Sequence, residues 1–496
     1  MLKKISNVIL KIFGIGITLC LFAGGLSIVG FIVALCIGGE AATAICVFIH
    51  KTYFPWVIIF TSIFAGFGLL GMYMNKIQAL TIGSADKKKR KALVLCGGIP
   101  QIALIQYLKS KGVVTVLADM NEKVAGRAYA DKFYPVSVLD VEGVKRVAVQ
   151  EKVDFVITVC ADQVLQVVAQ VSEELGLPCY IDFATAENVS KKSYMKKIFV
   201  ENGVPTSNYV IMDKLDETKI AALDFPLIVK PVDSYSSRGV KKVVDMKELQ
   251  IAFAEAVKIS RTHYAVVEEF VEGNELTVDV YIENENAHVL CISHIDKIGE
   301  DGKFVIHRTR YPAQISKKVE QEIEKAAKNI ARAFGLVNSP MLIQLIETGE
   351  DVSVVEFCAR TGGGDKFRLI EKVSGFDVVK AVADLTLGEK PHYEKAEIPQ
   401  KYITNEFLYC RDGVLDHVEG LKELLEDGVV SEYFILKEAG HRFEGIRSSG
   451  DRVAYYTIET DSLEEMMAKR AKANEKVKVV GEDGTDLLRH DLIAKT

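Results

Sequence analysis

The hydrophobic pattern divides the chain into an apolar amino-terminal part and a longer part of alternating elements. No charged residue occurs from Ile12 to Ile37, and a second uncharged run extends from Phe54 to Met74. Each run is long enough to cross a bilayer as a helix. No small-residue cleavage motif follows the first run, and a second span comes soon after it, so the pattern favours a membrane hairpin over a cleaved signal peptide. We expect residues 1–90 to contain two transmembrane helices, spanning about 12–37 and 54–74.

Charges that flank the two runs predict the orientation of the hairpin. Lys3, Lys4 and Lys11 precede the first run, and the basic stretch KKKRK at 87–91 follows the second. Positively charged flanks stay on the cytoplasmic side of a membrane. We therefore expect a two-pass protein of the cell inner membrane, with membrane lipid as a partner and the larger part of the chain in the cytoplasm.

From Lys91 the pattern changes to short apolar runs that alternate with amphipathic helices. The runs predicted as strands are ALVLCGG (92–98), VVTVLAD (113–119), VDFVITV (153–159) and PCYID (178–182). Strands that alternate with helices imply a parallel sheet covered on both faces. Residues 91–189 are therefore predicted to form a doubly wound α/β domain. CGGIPQIA with Asp119 downstream lacks the glycine spacing of a dinucleotide-binding turn, so an NAD site is only weakly supported.

The remaining chain mixes strands and helices and carries most of the charged motifs. FPLIVKP ends a strand at Lys230, YAVVEEF and ELTVDVY flank an acidic link, and MLIQLIE and VSVVEF form a hairpin-like pair. We expect an α+β domain at 190–400 and a small α+β domain at 401–496, which makes the whole chain an α/β protein behind two transmembrane helices.

Charge and cysteine usage exclude several classes of protein. The net charge of this 496-residue chain is −6, and no basic stripe with interleaved aromatic residues is present, which argues against nucleic acid as a partner. The nine cysteines are scattered without a C-x-x-C pair. Such spacing supports neither a zinc site nor a disulfide framework.

Two stretches have the chemistry of a phosphate and metal site. Lys230 ends a strand before the hydroxyl-rich loop SYSSRG, which suits phosphate because a lysine supplies charge and loop groups donate hydrogen bonds. In VVEFCARTGGG, Glu356 at a strand end is the kind of oxygen ligand that Mg²⁺ prefers. Read alone, the first stretch is equally a solvent loop and the second a salt-bridged turn with Arg360.

The segment 294–313, predicted to be a loop, carries His294, His307, Arg308 and Arg310. Guanidinium groups bind carboxylates through paired hydrogen bonds, so the loop is a candidate for substrate contacts. The alternative is an exposed charged loop without a ligand.

The order of the motifs is more specific than any one of them. A lysine helix (KKSYMKKIF), a Lys-Pro strand with a Ser/Gly lid, an E-E-x-V-x-G-x-E-L linker and an E-x-x-A-R-x-G-G turn follow one another. This order resembles the ATP-grasp superfamily. It is most similar to the carboxylate–amine ligases and the carbamoyl-phosphate-synthetase-like branch, over nearly everything after Lys91.

The resemblance implies ATP and Mg²⁺ as cofactors, with Mn²⁺ as an alternative metal, and it assigns roles to individual residues. The implied ATP-binding residues are Lys192, Lys230, Ser236, Ser237, Arg238, Gly239, Glu268, Glu269, Val271 and Glu275. The implied metal ligands are Glu356 and Gln344, the catalytic groups are Lys230 and Arg360, and the candidate substrate contacts are His307, Arg308 and Arg310.

Within the implied ATP site, Glu268 would accept from the adenine amine, the backbone of Glu269 and Val271 would contact the ring edge, and Glu275 would hold the ribose. Two positions depart from the family pattern. Gln344 stands where the family usually has an acid, and Cys358 stands where many members have a liganding asparagine.

The implied reaction activates a small-molecule carboxylate as an acyl phosphate and joins it to an amine, with release of ADP and phosphate. Two alternatives stay open: a bicarbonate-activating or carbamoyl-phosphate-type enzyme, and an ATP-binding pseudoenzyme that regulates a membrane assembly. A homodimer is the expected assembly.

Overall fold

The structure is a computed structural model that describes residues 2–74, 89–233, 238–299 and 304–494. The chain forms two compact units, Met1–Lys89 and Arg90–Thr496. The predicted lid residues Ser236 and Ser237 and the first two lysines of the basic stretch at 87–91 lie outside the described residues.

The first unit is helical. Its elements are α1 (Leu2–Ile37), α2 (Gly39–Phe48), a π-helical segment (Ile49–Tyr53) and α3 (Phe54–Met74). The chain reverses at Gly38 and Gly39, where φ is 69° and 66°, a backbone conformation that glycine adopts without strain. The second helical arm therefore begins at Gly39, before Phe54, where the sequence predicted the second span to start. By length and composition, Val8–Ile37 and Gly39–Tyr73 are candidate membrane spans.

The second unit begins with a parallel four-stranded sheet in the order β3–β2–β1–β4. Its strands are β1 (Lys91–Leu95), β2 (Val114–Ala118), β3 (Lys132–Tyr134) and β4 (Phe155–Ile157), and its helices are α4 (Ile99–Ser110), α5 (Val141–Glu151) and α6 (Asp162–Leu175). Alternate residues of β1 pack on opposite faces. Ala92 and Val94 pack with α4, whereas Leu93 and Leu95 pack with α5 and α6. Both faces are covered, as the sequence predicts.

The segment 178–182, predicted to be a strand, forms no strand. Pro178 has no backbone N–H to donate to a sheet ladder. The Tyr180 hydroxyl donates instead to the carbonyl of Ala359 at 3.1 Å, so this segment packs against the later domain. The short helix α7 (Phe183–Asn188) follows and leads into α8 (Lys192–Glu201).

A small antiparallel sheet comes next, in the order β5–β8–β6–β7. Its strands are β5 (Tyr209–Met212), β6 (Leu227–Pro231), β7 (Lys241–Val243) and β8 (Ala265–Glu269), and its helices are α9 (Glu217–Ile220) and α10 (Met246–Ile259). Leu249, Phe253 and Ala256 of α10 pack against the inner residues of these strands.

The remaining elements surround a large antiparallel sheet. The strands are β9 (Asn274–Glu283), β10 (Asn286–Lys297), β11 (Ile306–Tyr311), β12 (Ser339–Thr348), β13 (Asp351–Cys358), β14 (Tyr402–Leu408), β15 (Gly413–Glu419), β16 (Glu432–Ile435), β17 (Arg442–Phe443), β18 (Ala454–Thr460) and β19 (Lys478–Gly481). The helices are α11 (Lys317–Ala333), α12 (Lys366–Ser374), α13 (Val378–Leu387), α14 (Leu421–Glu426), α15 (Leu463–Lys476) and α16 (His490–Ala494).

Eight of these strands form one sheet in the order β13–β12–β9–β10–β11–β14–β18–β16, and β17–β15–β19 form a separate sheet. Three strands of the large sheet come from beyond residue 400. The predicted boundary between residues 400 and 401 therefore crosses a continuous sheet. The predicted hairpin β12–β13 is present and sets Gln344 directly opposite Glu356.

Candidate active site

A cavity of about 500 Å³, here called the large cavity, lies between the small sheet and the eight-stranded sheet. The predicted site residues that line it are Lys192, Lys230, Arg238, Glu268, Glu269, Val271, Glu275, His307, Arg308, Arg310, Gln344 and Glu356. Small-molecule sites commonly measure roughly 300–1,000 Å³. Gly239 instead occupies a left-handed turn, with φ of 77°, where an added Cβ would lie 3.0 Å from Pro231. The structure therefore brings most of the predicted site residues together around one cavity.

A second cavity of about 410 Å³, here called the side cavity, adjoins the first. Asp162, Cys358 and Arg360 line it, and Lys192 and Glu356 line both cavities. Arg360 therefore does not line the large cavity with Lys230, although the resemblance implied that both residues act as catalytic groups of one site. The wall formed by Lys192 and Glu356 connects the two spaces.

The Glu268 carboxylate is buried between two lysines. One oxygen pairs with Lys230, and the other accepts from Lys196 at 2.7 Å and from the Ser207 hydroxyl at 3.0 Å. Burial raises the pKa of Glu268, but attraction to Lys230 and Lys196 outweighs it and lowers the pKa to about 2. Burial and the charge of Lys230 lower the pKa of Lys196 to about 8 against the opposing effect of Glu268.

These contacts change the interpretation of the linker residues. Glu268, predicted to accept from an adenine amine, uses both carboxylate oxygens to hold lysines. The Glu269 side chain accepts from the Asn208 amide at 2.9 Å, and the Glu269 backbone N–H donates to the Asn208 carbonyl at 3.0 Å. Of the linker groups predicted to contact the adenine ring edge, the Glu269 N–H is therefore already engaged. Glu275, predicted to hold ribose, pairs with Lys297 at 2.6 Å.

Glu356 and Gln344 form the oxygen pair of the site. They are cross-strand partners on β13 and β12, and Lys192 pairs with the Glu356 carboxylate at 3.1 Å. Burial opposes ionisation of Glu356, but Lys192 and Lys230 more than offset it and hold the pKa below its ordinary value. The Glu356 carboxylate is therefore available as an anionic ligand at neutral pH.

The oxygen pair fits a nucleotide-bound Mg²⁺. Among the described residues, no group of three or more His, Cys, Asp or Glu side chains is arranged to hold a metal ion. Mg²⁺ commonly uses one or two protein oxygens and completes its shell with phosphate and water. One carboxylate and one amide beside Lys192 and Lys230 match that habit and do not suit a metal held by protein ligands alone.

Arg360 is held by an acid from the first α/β domain. Its guanidinium forms a two-point contact with the Asp162 carboxylate and donates to the Thr361 carbonyl at 2.7 Å. Cys358 lies within hydrogen-bonding reach of the same carboxylate. Burial raises the pKa of Cys358 well above its ordinary value, so it is a neutral thiol beside this ion pair.

The segment 294–313, predicted to be a loop, contains the end of β10 and all of β11, and these two strands pair with each other. His307 and Arg308 are buried, each only 2% exposed, and Asp296 binds both Arg308 and Arg310. The prediction of a loop is wrong at 294–297 and 306–311, where the segment forms strands of a sheet that continues on both sides. Arg310 keeps about half of its side chain exposed and is the better placed of the two arginines to reach a ligand.

The three glycines after Arg360 have different roles. An added Cβ at Gly362 would lie 3.0 Å from the Lys366 side chain, and Gly364 has φ of 70°. Close packing explains why the first position is a glycine, and the left-handed backbone conformation explains why the third is. At Gly363, the nearest neighbour of an added Cβ is the Cys160 carbonyl at 3.9 Å. Of these three glycines, the middle one has the most open space beside it.

The sequence did not predict several charged residues of the site, among them Lys196, Asp162, Asp296 and Lys297. One signal was available for Lys196, which follows Lys192 by four residues and therefore shares its face of α8. Asp162 and Asp296 carry no such signal. Their partners Arg360 and Arg308 are distant or on another strand, and only the tertiary fold joins them.

As a chemical arrangement, the two cavities place lysines, an oxygen pair and a guanidinium around a common wall. Lysines and a divalent ion together suit a polyphosphate chain, and fixed positive charge stabilises a phosphoryl group in transfer. A second reactant in the side cavity would meet that group at Glu356 and Lys192.

Comparison with known families agrees with this geometry. Residues 223–367 match the ATP-grasp domain family, and residues 406–482 match L-amino acid ligase C-terminal domain 2. The carbamoyl phosphate synthase large chain of Clostridium acetobutylicum is 25% identical over 289 residues, which cover 57% of this chain and 27% of that protein. The chain thus spans about a quarter of the length of that relative.

Solved structures share the fold of the second unit. The L-amino acid ligase from Bacillus licheniformis superposes with a TM-score of 0.69 at 21% identity, covering 80% of this chain and 100% of that one. The biotin carboxylase domain dimer of Hydrogenobacter thermophilus 2-oxoglutarate carboxylase, in complex with MgADP, ADP and bicarbonate, gives 0.67 at 16% identity, covering 82% and 92%.

The motif order, the two family matches in sequence and the shared fold lead to the same assignment, and they confirm the resemblance drawn from the motifs. This chain carries an ATP-grasp domain at 223–367, followed by an L-amino acid ligase C-terminal domain at 406–482.

Proposed function

We propose that this protein is a membrane-anchored, ATP-dependent carboxylate–amine ligase. The observation that carries the proposal is the wall shared by the two cavities. Lys192 and Glu356 face both the large cavity, which contains Lys230, and the side cavity, which contains Arg360. A γ-phosphate held at this wall would adjoin an organic substrate in the side cavity.

The proposed reaction has two steps. A carboxylate oxygen bonds to the γ-phosphorus while the bond from that phosphorus to the β,γ-bridging oxygen breaks, and ADP leaves with the electron pair. The amine first releases the extra proton of its ammonium form to solvent, and its nitrogen lone pair then bonds to the acyl carbon. Phosphate leaves with the C–O electron pair, and the nitrogen releases one further proton to give the amide.

The position of each residue in the two cavities assigns its role in this reaction. Lys192 and Lys230 bind the polyphosphate, Glu356 and Gln344 hold the metal, and Arg360 stabilises charge on the acyl side. Bound Mg²⁺ supplies further neutralisation of phosphate charge. Preorganised cations of this kind are among the largest contributions to phosphoryl and acyl transfer.

The match to L-amino acid ligase C-terminal domain 2 makes amino acids the first substrates to test. The assay mixes the twenty protein amino acids in pairs with Mg²⁺ and ATP, follows ADP release and identifies products by mass spectrometry. We expect ADP release that requires both a carboxylate and an amine. A chain that binds ATP but releases no ADP with any pair, or with a broader metabolite set, is not this ligase.

The similarity to carbamoyl phosphate synthase supports a second candidate, a bicarbonate-activating enzyme. ADP release that requires bicarbonate and no organic carboxylate would favour it. Tight ATP binding without turnover under every condition would favour the pseudoenzyme, for which the neutral Gln344 is the motivating feature.

Membrane anchoring is part of the proposal and rests on the two apolar helical arms and their basic flanks. The full chain should remain in membranes after alkaline extraction, and protease added from the cytoplasmic side should digest the second unit. Light scattering of the detergent-solubilised chain tests the proposed homodimer.

A further inference from the structure

The side cavity contains an acid that the proposed reaction does not use. Asp162 is the first residue of α6, and its side chain is 38% exposed, whereas that of its partner Arg360 is 11% exposed. The carboxylate therefore holds the guanidinium on one side and opens to the cavity on the other.

Asp162 follows a left-handed turn, and the charge of Arg360 keeps it ionised. The turn before α6 contains Cys160 in a left-handed conformation, with φ of 58°, at the carboxyl end of β4. Burial raises the pKa of Asp162, but Arg360 more than offsets it, so the pKa lies below its ordinary value. At neutral pH the group presents negative charge to the cavity.

The other acids of the side cavity have separate partners. Glu356 pairs with Lys192 at 3.1 Å, and Glu187 pairs with Lys191 at 3.0 Å. Asp233 accepts from two backbone N–H groups, those of Arg261 and Thr262, at 3.0 and 3.1 Å. Asp162 is the acid beside Arg360, the residue expected to face the acyl group.

We propose that Asp162 binds the ammonium group of the amine substrate, beside the guanidinium of Arg360. The inference rests on the proposed ligase function and names the charge class of the second substrate: a primary ammonium compound, such as an amino acid. A carboxylate and a guanidinium held side by side match an ammonium group next to an acyl phosphate. A neutral side chain at 162 would leave the ammonium without its counter-charge.

The test separates acyl activation from amine binding. Hydroxylamine is uncharged at neutral pH and traps an acyl phosphate as a hydroxamate without an ammonium site. In Asp162→Asn, hydroxamate formation should fall much less than amide formation, because the asparagine oxygen still accepts a hydrogen bond from Arg360. Amide formation should lose about 10- to 100-fold in kcat/KM for the amine, the loss expected for a hydrogen bond to a charged group. Asp162→Glu should recover part of this loss.

Glu174→Gln is the matched control. Glu174 lies at the other end of α6, pairs with Lys145 at the surface, and has no part in the site. Its activity in both assays should equal that of wild type. Equal losses of hydroxamate and amide in Asp162→Asn would overturn the proposal, because Asp162 would then act only by holding Arg360.

A binding measurement separates failure of this inference from failure of the ligase function. Amino-acid amides carry an ammonium group and no carboxylate. Calorimetric titration of such amides into the full chain with MgADP should give binding in wild type that is lost in Asp162→Asn. Binding without turnover in wild type would sink the ligase function and leave the ammonium site standing. If wild type turns over and Asp162→Asn binds the amides as well as wild type does, the ligase function stands and the ammonium site is overturned. If wild type shows neither amide binding nor turnover, both proposals are overturned.

Discussion

Lys230 and Lys196 flank the buried Glu268 carboxylate, so each charge in this cluster depends on the others. We expect Lys230→Ala to slow turnover by roughly 10²–10³, the usual loss for one group that stabilises a developing anion. The variant should also unfold at lower temperature, because Glu268 keeps only one cation. Adding Glu268→Gln to it should restore thermal stability but not ADP release. Near-normal turnover in Lys230→Ala would remove the phosphate assignment.

Arg360→Ala should lose a similar factor, roughly 10²–10³, because a fixed guanidinium is removed from the acyl side. Here the hydroxamate assay is decisive, since it reports the first step alone. Arg360→Lys keeps the charge but not the two-point contact with Asp162, and we expect intermediate activity. An unchanged hydroxamate rate in Arg360→Ala would place this residue outside the chemistry.

Gln344 lies directly opposite Glu356, so the oxygen pair has one negative charge where the family usually has two. A neutral amide oxygen holds Mg²⁺ less strongly than a carboxylate does. We expect Gln344→Glu to lower the magnesium concentration for half-maximal ADP release and Glu356→Gln to abolish turnover. A wild type that is inert at every magnesium level, but active as Gln344→Glu, would identify a pseudoenzyme.

At the scale of elements, a row of polar residues crosses four strands of the large sheet. Asp296, Arg308, Glu406 and Tyr456 are successive cross-strand partners on β10, β11, β14 and β18. Glu406 also accepts from Arg470 of α15 at 2.7 Å. The row therefore joins the wall of the large cavity to the C-terminal helices, and it explains why Arg308 is buried.

This row has a consequence for stability. Burial raises the pKa of Glu406 to about 7 from its ordinary 4.5, although Arg308 opposes the shift. The folded carboxyl keeps its proton to higher pH than the unfolded one, so its stabilising contribution is full below pH 4.5 and is lost as the pH rises to about 7. We expect the free energy of unfolding to fall over that interval and Glu406→Gln to flatten the fall.

Chemical unfolding at a series of pH values measures this effect. Burial and the charge of Glu432 raise the pKa of Asp365 to about 7. Asp365 therefore also lowers the free energy of unfolding as the pH rises, and Asp365→Asn is the parallel control. The two single variants should each remove part of the slope and the double variant most of it. A wild type that gains stability between pH 4.5 and 7 would contradict the assignment of Glu406.

At the scale of the whole molecule, the second unit begins at Arg90 and contains both cavities. A chain that starts at Ser84 should therefore be soluble and bind Mg·ATP as the full chain does. Calorimetric titration with ADP and Mg²⁺ compares the two, with Lys230→Ala in the short chain as the control for site-specific binding. Aggregation or loss of nucleotide binding would mean that the hairpin belongs to the catalytic fold.

Much of this architecture follows from local patterns. Alternating strands and helices predicted the parallel sheet with both faces covered. The apolar runs MLIQLIE and VSVVEF predicted a hairpin-like pair, and in the structure this hairpin sets Gln344 opposite Glu356. Hydrophobic periodicity depends only on residues close together in the chain, so a single sequence is enough to detect it. The same logic failed at 178–182 and 294–313, where a proline and a continuing sheet, respectively, decided the conformation.

By itself, the sequence determined the order of the motifs, and with it the ATP-grasp domain. Most of the site residues predicted from that order line the large cavity. Only the tertiary structure decided which charges meet. Glu268 binds lysines, and Arg360 lines the side cavity and not the large cavity. Asp162, which binds Arg360, lies in a domain almost two hundred residues earlier in the chain. A buried charge must find its counter-charge wherever the fold brings one, and that pairing across long separations is invisible to local pattern.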